Sequence, residues 1–254
     1  MRRSPLLPLL AVTATALAGC ASHDASGSGA TATLRVSAAA SLKQAFTRYG
    51  DGFTAARSRF SFAGSDELAA QIRAGGRPDV FAAANSKLPD ALHADGLVEK
   101  PVAFARNRLV LAVPADDARV QRLEDLTRAG VTLAVGAPSV PVGAYTRKVL
   151  GGLPAAQGKA ILGHVRSNEP DVAGVVGKVA QGAVDAGFVY ITDVKAAGGR
   201  LRAIELPASL QPEVIYEIAV VKGTEHPDQA RAFVRGLLDG AGRGALDGAG
   251  FGRP

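Results

Sequence analysis

A single cysteine, Cys20, is all the thiol this 254-residue chain contains. A disulfide framework and a thiolate metal site are therefore excluded. Four histidines (His23, His93, His164 and His226) lie scattered with no ligand spacing. There is no Gly-x-Ser-x-Gly, no carboxylate cluster and no histidine next to Ser41 or Ser65 in sequence, so an exported hydrolase, which needs a nucleophile with its base, stays only as an alternative that would draw them together in space. Blocks of one charge sign are missing as well. The interspersed charges read as solubility, and nucleic acid is not an expected partner.

Only one long apolar run exists, and it stands at the start. Met1-Arg2-Arg3 is a basic head, Leu6 to Ala18 is apolar apart from Pro8, Thr13 and Thr15, and Leu17-Ala18-Gly19-Cys20 closes it with small residues. That order is a secretory signal, too short to span a membrane stably. Leu-Ala-Gly-Cys matches the lipobox cut by lipoprotein signal peptidase, which would leave Cys20 as a lipidated first residue. An ordinary signal with a chance cysteine is the alternative. Losing Arg2 and Arg3 with the signal leaves 27 basic and 23 acidic residues, a modest positive balance. Residues 21–33, rich in Ser, Gly, Ala and Thr, cannot build a core and read as a flexible tether with a reach of roughly 20 Å. The remaining body is long enough for two lobes.

Strand-like and helix-like stretches alternate along that body. Leu42, Ala45, Phe46, Tyr49 and Phe53 recur at helical spacing behind Ser41, and 108–114 (RLVLAVP) is a β-branched apolar run stopped by proline. Strands are also expected at 34–36, 60–63, 79–83, 132–135, 186–190, 201–206 and 216–221. Helices are expected from Ser65, Asn85, Leu123, Val142, Asp171 and Pro227. Repeated strand-then-helix order argues for an α/β protein with largely parallel sheets. The segments 108–114 and 216–221 read as crossovers between the lobes.

Four segments place a small or polar residue where a helix begins: 38–42 (AAASL), 62–65 (FAGS), 141–145 (PVGAY) and 169–172 (EPDV). Such starts expose free N–H groups and the positive end of a helix dipole, and they bind anions without a charged side chain. Each one taken alone reads as an ordinary N-cap. Their number and order across two lobes favour an anion site. Asp66 and Asp171, also at helix starts, are explained by capping and the dipole.

These segments carry a resemblance to a known family. VSAAASL (36–42), FAGSDELAAQI (62–72), RPDVFAAAN (77–85), RLVLAVP (108–114), LAVGAPSVPVGAYTRKVL (133–150), EPDVAGVVGKV (169–179), DAGFVYITDV (185–194) and YEIAVV (216–221) are similar, in the same order, to the molybdate-binding proteins of bacterial molybdenum importers. Those are type II periplasmic binding proteins. The resemblance implies an α/β fold of two lobes joined by two crossover strands, with the ligand in the interlobe cleft. It implies molybdate, and tungstate with it, bound by the side chains of Ser41, Ser65 and Tyr190 and by the main-chain N–H groups of Val142 and Val172. On residue type alone, a core or rim aromatic is the alternative for Tyr190, and its place at a strand end before Ile191-Thr192-Asp193 favours the donor role.

On this reading, residues 1–19 are the lipoprotein signal and 20–33 the lipidated cysteine and tether. Residues 34–112 and 216–254 form lobe I, and 113–215 form lobe II. The chain is then no enzyme, needs no cofactor besides its oxyanion ligand, and is a monomer anchored outside the cell membrane. It serves the permease and ATPase of an ABC importer. Sulfate or phosphate is the alternative ligand. The sequence departs from the family pattern at Tyr216-Glu217, where a proline is expected after the tyrosine, and in the glycine-rich stretch 239–254.

Overall fold

A computed structural model describes residues 32–116 and 119–254. The expected signal, the Cys20 expected to carry lipid and nearly all of the expected tether lie outside these residues. The described residues pack as one unit, built on two five-stranded sheets.

The first sheet has the order β2-β1-β3-β10-β4. Its strands are β1 (Thr33–Ala39), β2 (Arg57–Ala63), β3 (Val80–Ala83), β4 (Val102–Asn107) and β10 (Val214–Val220). Around it lie α1 (Lys43–Asp51), α2 (Ser65–Arg73), α3 (Lys87–Ala94), α8 (Pro227–Asp239) and α9 (Ala241–Ala249). The second sheet has the order β7-β6-β8-β5-β9. It comprises β5 (Leu109–Pro114), β6 (Leu133–Gly136), β7 (Val165–Glu169), β8 (Ala186–Tyr190) and β9 (Leu201–Glu205). Its helices are α4 (Pro141–Gly151), α5 (Ala155–Gly163), α6 (Val172–Ala180) and α7 (Ile191–Ala196). The α/β class and the two lobes are as expected.

Strand direction differs from the largely parallel expectation in one systematic way. β1 pairs in parallel with β2 and β3, and β6 with β7 and β8. The incoming strands β10 and β5 run antiparallel to both neighbours. Each arrives from the opposite lobe without a covering helix, and direct antiparallel pairing needs no long crossover connection. Arg108 alone separates β4 in one sheet from β5 in the other. The first exchange therefore falls at Arg108, not at the 112/113 boundary expected, and all of β5 belongs to the second lobe. The second exchange runs through 206–213, where the Gln211 side chain bonds both the N–H and the carbonyl of Leu109 at 3.2 and 3.1 Å. Two short links, tied to one another, connect the lobes.

Packing explains which elements the local pattern missed. Phe46 of α1 meets Phe60, Phe104 and Phe233 at ring-centroid separations of 5.7–6.2 Å, and that aromatic cluster seals α1 and α8 onto the first sheet. Leu68, Ile72, Phe81 and Leu92 form a second cluster under α2 and α3. The glycine-rich stretch folds as α9 because Leu246 and Ala249 are buried and Arg243 bonds the Phe104 carbonyl at 2.9 Å. A side chain at Gly242 would press on the Gly236 carbonyl and Leu237, so glycine is what lets α8 and α9 come together. The helix expected from Leu123 is a 3₁₀ turn, Leu123–Thr127, while β4, β7 and α5 carry little periodic signal. β10 has a bulge at Tyr216/Glu217, the point where the family pattern expects proline. Bulges accommodate proline and re-aim side chains, and here Tyr216 is fully buried.

Candidate functional site

Between the lobes, at the ends of β1, β2 and β8 and the starts of α2, α4 and α6, lies a small cavity. All five residues singled out from the sequence line it: Ser41 and Ser65 from the first lobe, Val142, Val172 and Tyr190 from the second. The lobes touch at its rim, because a Cβ on Gly64 would overlap the Pro170 carbonyl oxygen across the cleft.

Each residue reaches the cavity by a local device. Ser41 sits in a 3₁₀ turn, Ala40–Leu42, ahead of α1, which itself starts at Lys43. Ser65 is the first residue of α2 and is buried. Pro141 opens α4, a position where its fixed φ and missing N–H do no harm, and Val142 follows it. Val172 opens α6, whose N-cap Asp171 accepts from the Gly174 N–H at 3.0 Å. Tyr190 ends β8. First-turn N–H groups have no acceptor inside their own helix, so three helix starts aim donors and positive dipole ends at one small volume. The capping expectation holds for Asp171. For Asp66 it does not, since one of its carboxylate oxygens is buried without a hydrogen-bond partner among the described residues. Its place in the first turn of α2 leaves the dipole as its only evident support.

Hydrogen-bond polarity decides what such a cavity can hold. Ser65 Oγ accepts from the Ala84 N–H at 3.1 Å, which leaves its hydroxyl proton for the cavity. Ser41 Oγ lies 2.8 Å from Tyr216 Oη. The Tyr190 hydroxyl is buried and has no partner among the described residues, a costly state for a polar group unless a ligand completes it. Burial drives the Tyr190 phenol well above its ordinary pKa, with Tyr216, Tyr145 and Asp193 adding to the rise. It therefore stays protonated and able to donate. Asp193, beside it, accepts from the Tyr190 N–H at 2.9 Å. Burial pushes its carboxyl up to about 7 against that bond, and Asp171 contributes in the same direction.

No lysine or arginine lines the cavity, and the described residues hold no group of three or more potential metal-ligating side chains. The residues behind the serines were not foreseen. Ala84 was visible only inside the matching segment 77–85, and Tyr216 only in a crossover strand and at the Tyr216-Glu217 departure from the family pattern; neither was given a role.

The model of the family described as bacterial extracellular solute-binding protein matches residues 34–252. The chain belongs to that family. Its role is to bind a solute outside the cytoplasm, and the cavity stands where the two lobes of such a protein meet. Among its relatives is the molybdate-binding protein ModA of Mycobacterium tuberculosis, 35% identical over 94% of this chain and 93% of that one. A putative ABC transporter substrate-binding lipoprotein of Bacillus subtilis, YvgL, is 30% identical over 85% of each chain. The periplasmic molybdate-binding protein of Azotobacter vinelandii superimposes with a TM-score of 0.79 at 22% identity, over 87% of this chain and 99% of that one, a likeness of fold.

Proposed function

We propose that the solute is molybdate, with tungstate bound by the same chemistry, and that the protein delivers it to an ABC importer. The observation that carries this reading is the donor polarity of the interlobe cavity. A fully deprotonated tetrahedral dianion offers only acceptors. The cavity meets it with the hydroxyls of Ser41, Ser65 and Tyr190 and the N–H groups of Val142 and Val172. The one carboxylate in its lining, Asp171, is engaged by Gly174. Neutral donors bind a dianion without leaving an unpaired buried cation when the site is empty. The name of the Mycobacterium relative supports the choice of anion.

Lipid anchoring through Cys20 belongs to the same proposal. It is supported by Leu17-Ala18-Gly19-Cys20 and by the lipoprotein name of the Bacillus relative. Calorimetric titration with molybdate, tungstate, sulfate and phosphate tests the ligand. Saturable one-site binding of molybdate and tungstate, with sulfate and phosphate much weaker, is expected. Sulfate or phosphate binding more tightly than molybdate would overturn the assignment in favour of another tetrahedral oxyanion.

A further inference from the structure

Behind Ser41 runs a buried chain of hydrogen bonds whose direction the backbone sets. Asn107, the last residue of β4, accepts from the Arg108 N–H through Oδ1 at 2.9 Å. That bond decides which way the amide faces. Its Nδ2 then points inward and donates to Thr192 Oγ1 at 2.8 Å and, over a longer 3.4 Å, to Tyr216 Oη. Tyr216 lies fully buried in β10 and has one proton to give. The 2.8 Å separation from Ser41 Oγ lets either oxygen donate, and the N–H already facing the Tyr216 oxygen favours Tyr216 as the donor. A phenol is also a stronger acid than an aliphatic hydroxyl, so it is the better donor of the two. Once Ser41 accepts there, its own proton is left for the cavity.

We infer that Tyr216, oriented by Asn107, is a positioning residue that locks Ser41 as a hydrogen-bond donor to the bound anion. Ser65 reaches the same state by a shorter route, through the Ala84 N–H. Both first-lobe hydroxyls are thereby set before the ligand arrives, so no donor has to be turned around on binding. The chain also raises the donor strength of Ser41, because each hydrogen bond polarises the next in a low-dielectric interior. Tyr216 itself is absent from the cavity lining, so its influence on the anion passes through Ser41. The inference rests on the oxyanion reading of the cavity.

A double-mutant cycle separates positioning from general structural support. Tyr216→Phe and Ser41→Ala, singly and together, are titrated with molybdate, and the thermal midpoint of each ligand-free variant is recorded. In the otherwise native protein Tyr216→Phe weakens molybdate binding roughly three- to tenfold, the usual worth of one neutral hydrogen bond. In the Ser41→Ala background the same change leaves affinity where it was. Tyr49→Phe is the control: that hydroxyl is also buried and donates to the Phe233 carbonyl at 3.1 Å, away from the cavity, so affinity stays at the wild-type value. Should Tyr216→Phe fail to fold, Asn107→Ala in the same two backgrounds carries the same expectation. An equal loss in both backgrounds, or no loss in either, overturns the positioning role while wild-type binding leaves the oxyanion reading standing. If the wild type bound none of the four anions, the oxyanion reading would fall and the positioning role with it.

Discussion

Removing the Tyr190 hydroxyl separates a ligand group from a structural one. Among the described residues this oxygen is buried and meets no partner at good hydrogen-bond geometry, although the Tyr216 hydroxyl lies near enough to add to the rise of its pKa, so Tyr190→Phe breaks no well-formed hydrogen bond there. The phenyl ring, which packs edge-on against Tyr145 and Tyr216 at centroid separations of 6.5 and 5.9 Å, is unchanged by the substitution. The ligand-free variant is therefore expected to melt at or slightly above the wild-type temperature. With molybdate present the balance reverses. A hydrogen bond to a charged acceptor contributes about 1.5–3 kcal/mol, which is roughly ten- to a hundredfold in dissociation constant. At a fixed saturating concentration that loss appears undiminished in the ligand-induced stabilisation. For a body of this size each kcal/mol moves the midpoint by about 2–4 °C, so the molybdate-induced shift shrinks by about 3–12 °C. Differential scanning fluorimetry with and without molybdate, together with calorimetric titration, reads both quantities. A variant that binds like wild type but melts several degrees lower without ligand would show that the hydroxyl supports the fold and would refute its role as a donor.

Ser65→Ala behaves differently, because it strips the buried Ala84 N–H of its acceptor. It should lose about 1–3 kcal/mol of ligand-free stability in chemical denaturation as well as at least tenfold in molybdate affinity, and loss of neither removes Ser65 from the site. Asp193 holds its proton in the folded state up to about pH 7 but, unfolded, only to its ordinary 3.8. Its contribution to stability therefore declines as pH rises from about 4 to 7 and is level beyond. Asp193→Asn, which keeps an acceptor for the Tyr190 N–H, should gain on the wild type across that window in urea unfolding; a difference that does not change with pH counts against the burial argument. Cys20→Ala should release the protein from the membrane fraction or leave its precursor uncleaved, and normal processing with retention would end the lipoprotein reading. Small-angle scattering should show compaction on adding molybdate, since the donors come from both lobes and a bridging anion favours closure; an unchanged profile at saturation tells against closure in solution.

Much of this arrangement was legible residue by residue. The helical spacing of Leu42, Ala45, Phe46, Tyr49 and Phe53 predicted a buried face; the first four are buried, while Phe53 lies past the end of α1 and is only partly buried. The unbroken apolar run of β5 predicted a strand covered on both sides, and Leu109 to Val113 are fully buried. Helix starts announce themselves through Pro141 and Asp171, because capping chemistry is local. The weak points were elements whose stability comes from elsewhere. β7 has no apolar alternation and exists because β6 pairs with it, and α9 is glycine-rich and holds through Arg243, Leu246 and its packing on α1.

What the sequence determined alone was the alternation of strands and helices, the helix-start positions and the kinds of donor they offer. These follow from periods of two and 3.6 residues and from caps that act within one turn. The tertiary structure decided that Ser41, Ser65, Val142, Val172 and Tyr190 face one cavity, that the lobes exchange strands at Arg108, and that Tyr216 stands behind Ser41. Ser41 and Tyr216 are 175 positions apart and Asn107 and Tyr216 are 109 apart. No local period connects residues at such distances. Only the antiparallel return of β10 between β3 and β4 brings those hydroxyls within reach of one another.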